Sequence, residues 1–244
     1  MSRRASLATA RRILRQLRHD PRTVALLLLV PLVLLILLRF VYDARPGTFV
    51  AVGAPLLALF PFITMFLVTS VAVLRERSSG TLERLLTMPL HRADVVAGYA
   101  LAFGAVAVLQ AGLACAVALG PLGLDVSGGW GLVVLLAVLD ALLGTALGLL
   151  LSAFARTEFQ AVQFLPAAVF PQLLLCGLLA PRSGMAAPLR WLSAALPLTY
   201  AVDGMQTLTA HRASGATARD LAVVGLACLL ALVLGAASLR RRTA

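Results

Sequence analysis

The sequence contains no lysine and no asparagine, and charged residues occupy only 13% of its 244 positions. Without lysine, these residues cannot form the phosphate-binding loop of a Walker-type ATPase, in which a lysine contacts the nucleotide phosphates. The low charge accompanies 61% hydrophobic residues and a mean hydropathy of +0.96, whereas roughly half of an average soluble domain is apolar. We therefore do not expect a soluble globular domain.

Cysteine and histidine are also scarce. Each of the three cysteines lies in an apolar run, and none belongs to a Cys-x-x-Cys pair, so neither a disulfide framework nor a zinc site is expected. The three histidines lie in three separate polar segments, and neither Gly-x-Ser-x-Gly nor His-Glu-x-x-His occurs. The sequence predicts no catalytic residue set, no bound metal and no bound cofactor, so an enzyme is not expected.

Six stretches are long and apolar enough to cross a membrane, which takes about 20 mostly apolar residues for a hydrocarbon core of roughly 30 Å. They are residues 23–42, 50–74, 95–119, 130–154, 161–181 and 221–239. The first run is too long for a signal peptide and lacks a small-x-small cleavage site, so we expect it to remain as a span. The pattern predicts an all-α integral membrane protein in which residues 23–244 form one six-span domain.

The arginines predict how these spans are oriented. With both termini in the cytoplasm, 15 of the 21 arginines fall in cytoplasmic segments and five in outer ones, while Arg39 lies near the outer end of its span. Cytoplasmic segments of membrane proteins carry such an excess of basic residues. The arginines flank spans and are not interleaved with aromatic residues, so lipid headgroups rather than nucleic acid are the expected partner. The predicted location is the cell membrane, with cytoplasmic N- and C-termini.

Residues 1–22 predict an amphipathic helix on the inner membrane surface, ended by Asp20-Pro21. One face of this helix is apolar and consists of Leu7, Ala10, Ile13, Leu14 and Leu17, while arginines occupy another face.

The segment 75–94 predicts a second, shorter cytoplasmic helix. Leu82, Leu85 and Leu86 are spaced i, i+3, i+4, so they share one face of that helix. Ser79 or Gly80 caps its start, Glu83 complements the N-terminal dipole and Pro89 ends it. The apolar face is expected to dock onto the membrane, neighbouring helices or another protein.

Residues 182–218 predict an outer hairpin. The stretch from Pro188 to Ala201 is apolar but too short to span a membrane, and Pro197 interrupts it. A re-entrant or interfacial helical hairpin fits this pattern, with Trp191 and Tyr200 at headgroup level.

Two motifs in these segments resemble the permease subunits of ABC-2 type ABC transporters, also called type V exporters. The first motif reads Glu76-x-x-x-Gly80-Thr81-Leu82-Glu83-x-Leu85-Leu86-x-x-Pro89, followed by Gly98 and by Tyr99, where the family frequently has lysine. The second motif runs from Phe170-Pro171 through Gly177 and Pro181 to Trp191-Leu192 and Pro197-Leu198-Thr199-Tyr200-Ala201-Val202-Asp203. The resemblance covers nearly the whole chain.

The resemblance implies an ATP-driven exporter of an amphipathic molecule such as a drug, an antibiotic or a lipid. The permease would form a homodimer, or a heterodimer with a similar permease, and bind two copies of a separate ATPase that holds ATP and Mg. The first motif would form the coupling helix that contacts this ATPase; its residues are Glu76, Gly80, Thr81, Leu82, Glu83, Arg84, Leu85, Leu86 and Pro89. Glu76 would pair with Arg75, with Arg77 or with a basic residue of the N-terminal helix, or remain an exposed charge.

Two further sets of residues leave alternatives open. Asp140 lies near the middle of the fourth span, where a carboxylate is expensive and therefore a functional candidate. It is either a proton- or cation-binding group, as in a proton-coupled secondary transporter, or a structural group that is protonated or bonded to a neighbouring helix through a partner such as Thr145 or Gln110. Spans two and five face the dimer axis in the resembled family, so their phenylalanines either line a substrate pathway or simply pack; these are Phe60, Phe62, Phe66, Phe164 and Phe170.

Overall fold

The computed structural model describes residues 3–80, 92–126, 129–209 and 215–238, and these residues form helices and no strand. The helices are α1 (Arg3–Arg18), α2 (Pro21–Val41), α3 (Pro46–Ser78), α4 (Arg92–Leu119), α5 (Trp130–Ser152), α6 (Glu158–Leu175), α7 (Ala187–Ala195), α8 (Pro197–Thr209) and α9 (Gly215–Ser238), with a single 3₁₀ turn at Arg182–Gly184. The predicted all-α class is confirmed.

In the described part of the chain, five helices are long and apolar enough to cross a membrane: α2, α3, α4 from Ala93 onward, α5 and α9. The protein is therefore a multi-pass membrane protein. Helix α6 has 18 residues and is not among the five. It ends at Leu175, six residues before the predicted end of the fifth span, because Gly177 adopts φ 92° just after the cap residue Cys176. A glycine in this left-handed conformation commonly ends a helix.

Two other helices extend beyond their predicted spans. Helix α3 has 33 residues, or about 50 Å at 1.5 Å per residue, so its last turns project beyond a 30 Å hydrocarbon core. Helix α9 begins at Gly215, so residues 215–218 belong to it and not to the predicted outer segment. Polar Thr217 and Asp220 lie in the first turns of this helix, and both side chains are buried.

Helix α5 lies at the centre of the bundle and packs most extensively along α3 and then against α9 and α4. Two glycines allow the close approach to α3. A Cβ on Gly148 would lie 2.6 Å from the carbonyl oxygen of Phe66, and a Cβ on Gly144 would meet the carbonyl oxygen of Phe62 even more closely. Small residues at such positions let helix backbones approach within a membrane.

Gln110 of α4 joins three helices in the middle of the bundle. Its Nε2 donates to the carbonyl oxygen of Leu27 at 2.8 Å and to Oγ1 of Thr64 at 2.5 Å. The Leu27 carbonyl has no helical partner because Pro31, four residues later, lacks an N–H. Neighbouring side chains satisfy such carbonyls in membrane helices. Gln110 therefore stabilises the proline-containing part of α2.

Candidate functional site

The end of α3 brings four other helices together through three consecutive side chains. Arg75, Glu76 and Arg77 project about 100° apart around the helix, and each contacts a different neighbour. We refer to these three residues and their contacts as the α3 junction.

Arg75 connects α3 to the first turn of α6. Its Nε and Nη2 donate to the two carboxylate oxygens of Glu158 at 2.9 and 3.1 Å. The hydrogen bond from Arg75 lowers the pKa of Glu158 below its ordinary value. Both side chains are at least half exposed, so water and salt weaken this ion pair despite its two-point geometry.

Glu76 connects α3 to α1 and α4 and is more buried, with 12% of its side chain exposed. Its Oε2 accepts a hydrogen bond from Nη2 of Arg12 at 2.5 Å and another from the hydroxyl of Tyr99. Burial lowers the pKa of Arg12, but the hydrogen bond and charge of Glu76 raise it, and the net shift is upward. Of the partners that the sequence left open for Glu76, the structure selects a basic residue of the N-terminal helix.

Arg77 connects α3 to the end of α5. Its Nη1 donates to the carbonyl oxygen of Ser152, the last residue of α5, at 2.5 Å. The final carbonyls of a helix lack helical donors and attract positive charge, so Arg77 caps α5.

Helix α1 is held against α4 next to this junction. A Cβ on Gly98 would lie 2.5 Å from Cβ of Thr9, so only glycine permits the observed approach. The buried face of α1 consists of Ser6, Thr9, Ala10 and Ile13, whereas Leu7 and Leu14 are exposed. The predicted apolar face is therefore divided, since Ala10 and Ile13 pack inside the protein and Leu7 and Leu14 lie on its surface.

The structure describes only part of the predicted coupling segment. Arg75 to Ser78 complete α3, Ser79 caps its end and Gly80 follows with φ 71°, so Ser79 and Gly80 end α3. Thr81, Leu82, Glu83, Arg84, Leu85, Leu86 and Pro89 lie outside the described residues. Tyr99, which bonds to Glu76, was not predicted as a site residue. The sequence signal that could have identified it is a tyrosine directly after Gly98, where the family frequently has lysine.

The predicted outer hairpin is formed by α7 and α8, which we refer to as the hairpin. The hydroxyl of Tyr200 donates to the carbonyl of Ala194 at 2.7 Å, and that of Thr199 donates to the carbonyl of Ser193 at 2.8 Å. Pro197 begins α8, and Trp191 is 79% exposed. Two short helices are thus bonded across the turn at Pro197.

One ion pair and one cation–π contact join the hairpin to its neighbours. Nη1 of Arg182 donates to Oδ2 of Asp203 in α8 at 2.6 Å. Arg219 of α9 lies over the ring of Tyr200 at 5.6 Å. Burial raises the pKa of Asp203, and the Arg182 charge partly opposes this shift.

Residues 4–209 match the model of the ABC-2 type transporter family. The chain belongs to this family. The ABC transporter G family member 20 of Dictyostelium discoideum is 28% identical over 169 residues, which cover 69% of this chain and 23% of that protein.

Two Escherichia coli (strain K12) relatives are named permeases. The probable multidrug ABC transporter permease YbhR is 30% identical over 148 residues, or 61% of this chain and 40% of YbhR. The inner membrane transport permease YhhJ is 28% identical over 181 residues, or 73% of this chain and 47% of YhhJ. The chain thus spans less than half the length of these relatives.

Within this ABC-2 family member, the five candidate pathway phenylalanines have different environments. Phe62 and Phe66 are fully buried, whereas Phe170 is 52% exposed. Phe60 and Phe164 are half-buried. In this single chain, Phe62 and Phe66 contribute to the core beside α5. Phe60 of α3 and Phe164 of α6 are partly accessible, and Phe170 of α6 is exposed.

Proposed function

We propose that the chain is the membrane-spanning permease subunit of an ATP-driven exporter that moves an amphipathic molecule, such as a drug, an antibiotic or a lipid, out of the cell. The observation that carries this proposal is the position of the α3 junction. It lies directly before residues 80–89, the predicted contact with the ATPase, and it connects α3 to α1, α4, α5 and α6.

In this proposal, a separate ATPase binds ATP and Mg, and hydrolysis there supplies the energy for transport. A displacement of the residues that follow Gly80 pulls on the end of α3. The charge-assisted hydrogen bonds of Glu76 and Arg77 then pass the displacement to α1, α4 and α5, because such bonds are short and strongly directional. The exposed Arg75–Glu158 pair adds a weaker connection to α6.

The proposed topology has six spans, with α6 as the fifth. Its 18 residues extend about 27 Å, close to the thickness of a hydrocarbon core. Helices α7 and α8, with 9 and 13 residues, are too short to cross and form an outer hairpin. Both termini and the α3 junction then lie on the cytoplasmic side.

Labelling of single cysteines tests this topology. In intact cells, Ser127→Cys and Ser214→Cys should react with an impermeant thiol reagent, whereas Ser79→Cys should not. The three native cysteines are buried, so the unmodified protein is the control and should label weakly. Labelling at position 79 from outside would contradict the proposed orientation.

We further propose a dimer of permeases, either two identical copies or two similar ones, with two ATPase copies. Helix α6 supports a second copy because its apolar Phe170 and Leu174 are 52% and 58% exposed. The substrate pathway would lie between the copies, along Phe60, Phe164 and Phe170. Phe62 and Phe66 would act there only through packing.

Two variants test the coupling role. Leu85→Asp combined with Leu86→Asp should abolish co-purification with the ATPase, because each leucine buried in an interface contributes roughly 1.5 to 3 kcal/mol and a charge in a desolvated groove is unfavourable. Both residues lie outside the proposed spans, so membrane levels should stay normal. Glu76→Gln should preserve co-purification but reduce transport and transport-coupled ATP hydrolysis, because it weakens the bonds to Arg12 and Tyr99.

The matched control for Glu76→Gln is Glu158→Gln, which removes a carboxylate from the exposed pair of the same junction and should reduce transport less. Full transport and normal co-purification by the double aspartate variant would refute the coupling role. Transport that survives ATP depletion but stops with an uncoupler would instead favour a proton-coupled secondary transporter.

A further inference from the structure

Asp140 is a carboxyl group in the centre of the bundle without a partner. Its residue is 0% exposed, and neither carboxylate oxygen has a hydrogen-bond partner among the residues that the structure describes. It lies ten residues from the start of α5 and twelve from its end, or about 15 and 18 Å along the axis. Thr145 bonds to the carbonyl of Ala141, and Gln110 bonds to Leu27 and Thr64, so the predicted bonding of Asp140 to Thr145 or Gln110 was wrong.

The helices around α5 bring no cation to Asp140. Helix α3 has no titratable residue between Pro46 and Arg75, and the ion pairs of the described residues do not include Asp140. The titratable groups near Asp140 include two buried thiols, Cys228 of α9 and Cys176, which follows α6. The other titratable residues on the helices packed against α5 are Arg75, Glu76 and Arg77 of α3, Arg92, Asp94, Tyr99 and Cys115 of α4, Glu158 of α6, Tyr200 and Asp203 of α8, and Arg219 and Asp220 of α9.

An ionised carboxylate in such a place would lose its hydration without gaining a counter-charge. Groups in this situation take up a proton and become neutral, because isolated buried charge is far more costly than a neutral polar group. The environment therefore favours the protonated acid at Asp140, a form that can lose its proton only if water or another base reaches it.

Two acidic residues lie on the hairpin side of Asp140, and each is paired with an arginine, Asp203 with Arg182 and Asp220 with Arg219. Asp203 of α8 has 26% of its side chain exposed and Asp220 of α9 has 1%. A Cβ on Gly204 would lie 3.7 Å from Oδ2 of Asp220 and 2.7 Å from Leu136. Leu136 precedes Asp140 by four residues, or about 6 Å along α5. The buried carboxylate of Asp220 thus lies beside Gly204 and Leu136, on the hairpin side of Asp140.

On the opposite side of Asp140, α5 packs tightly against α3. Toward the α3 junction, Gly144 and Gly148 bring the backbone of α5 against the carbonyl oxygens of Phe62 and Phe66. The next polar side chain of α5 in that direction, Thr145, is already bonded to its own helix. The hairpin side, by contrast, holds two carboxylates that can accept a proton.

We propose that Asp140 is an intramembrane proton-binding site, loaded and emptied from the hairpin end through Asp203 and Asp220. The O–H bond of the acid breaks on release, the proton passes to water by way of these carboxylates, and the ionised Asp140 loosens the packing of α5. In the proposed topology, the hairpin end is the outer face. The site itself requires neither that orientation nor an ATPase.

Infrared difference spectroscopy of the full chain in nanodiscs tests the site. Between neutral and alkaline pH, we expect the wild type to lose a protonated-carboxyl band with the amplitude of one group per chain. Asp140→Asn should lack this band, whereas the exposed-carboxylate control Glu158→Gln should retain it. Asp220→Asn should retain the band but lose it more slowly after a rapid pH jump.

A second measurement uses the wild type alone, so it does not depend on the folding of a variant. Dicyclohexylcarbodiimide reacts with protonated carboxyls in apolar surroundings, and mass spectrometry should find it on Asp140 at neutral pH. Absence of this modification, or persistence of the infrared band in Asp140→Asn, would overturn the proposal. Because neither measurement involves the ATPase, such a failure would leave the coupling proposal untouched.

Discussion

Replacing Gly98 with alanine should release α1 from the bundle. The new Cβ would lie 2.5 Å from Cβ of Thr9, 2.7 Å from its Cγ2 and 3.0 Å from the carbonyl oxygen of Ser6. Two of these atoms belong to a β-branched side chain and the third to the backbone, so none can move aside without shifting α1. Arg12 also lies on α1, so its contact with Glu76 should weaken when α1 is released.

The expected change follows from two opposing effects. Adding a methyl group to a close-packed contact destabilises by about 1 to 3 kcal/mol, whereas Gly→Ala within a helix stabilises by about 0.5 to 1 kcal/mol. Gly112→Ala provides the matched control because Gly112 lies in the same helix with nothing within 4 Å of its Cβ position. Relative to this control, which gains the same helix propensity, Gly98→Ala should lose the full packing energy.

Trypsin cleavage within α1 measures this difference. Cleavage of a helix requires local opening, so its rate follows the population of the open state. A loss of 1 to 3 kcal/mol predicts cleavage at Arg11 and Arg15 that is about 5 to 150 times faster than in Gly112→Ala. Equal cleavage rates in the two variants would refute the close contact between α1 and α4, and Thr9→Gly should partly restore protection to Gly98→Ala.

Two further predictions concern polar contacts between helices. Gln110→Leu should destabilise the protein by about 1 to 3 kcal/mol, because it leaves the Leu27 carbonyl unsatisfied. In a Pro31→Ala background, the carbonyl regains its helical donor, so unfolding titrations in mixed micelles should show a smaller loss; an equal loss would contradict this role. The lowered pKa of Glu158 means that the folded state favours the ionised form, so the pair with Arg75 stabilises above the ordinary glutamate pKa. That contribution should disappear as the pH falls through the lowered value. The difference in unfolding temperature between the wild type and Glu158→Gln should therefore vanish in acid. A difference that does not change with pH would contradict this prediction.

The helix positions that follow from local chemistry were predictable from the sequence. Asp20-Pro21 separates α1 from α2 as expected, since Asp20 caps α2 by accepting from the Thr23 N–H at 3.2 Å. The end of α6 was not predicted, because apolar residues continue beyond Leu175 and only the conformation of Gly177 stops the helix.

Contacts between residues that are distant in the sequence were harder to predict. The sequence offered three kinds of partner for Glu76, and only the packing of α1 against α4 selects Arg12 and adds Tyr99. Asp140 shows the converse, because its polar neighbours in the sequence bond elsewhere and leave it unpartnered. Hydropathy and periodicity describe one helix at a time, so they do not predict how two helices are rotated relative to each other.

The α3 junction also restricts how the length of α3 can vary. Arg75, Glu76 and Arg77 reach their four partners only because the helix presents each at its own angle. Inserting or deleting one residue between Pro61 and Arg75 would rotate all three by about 100° and direct each away from its partner. Substitution at one of these positions removes only the contacts of that side chain, whereas a change of one residue in length removes the contacts of all three. Helix α3 should therefore tolerate many replacements yet reject any insertion or deletion that is not close to a whole number of turns.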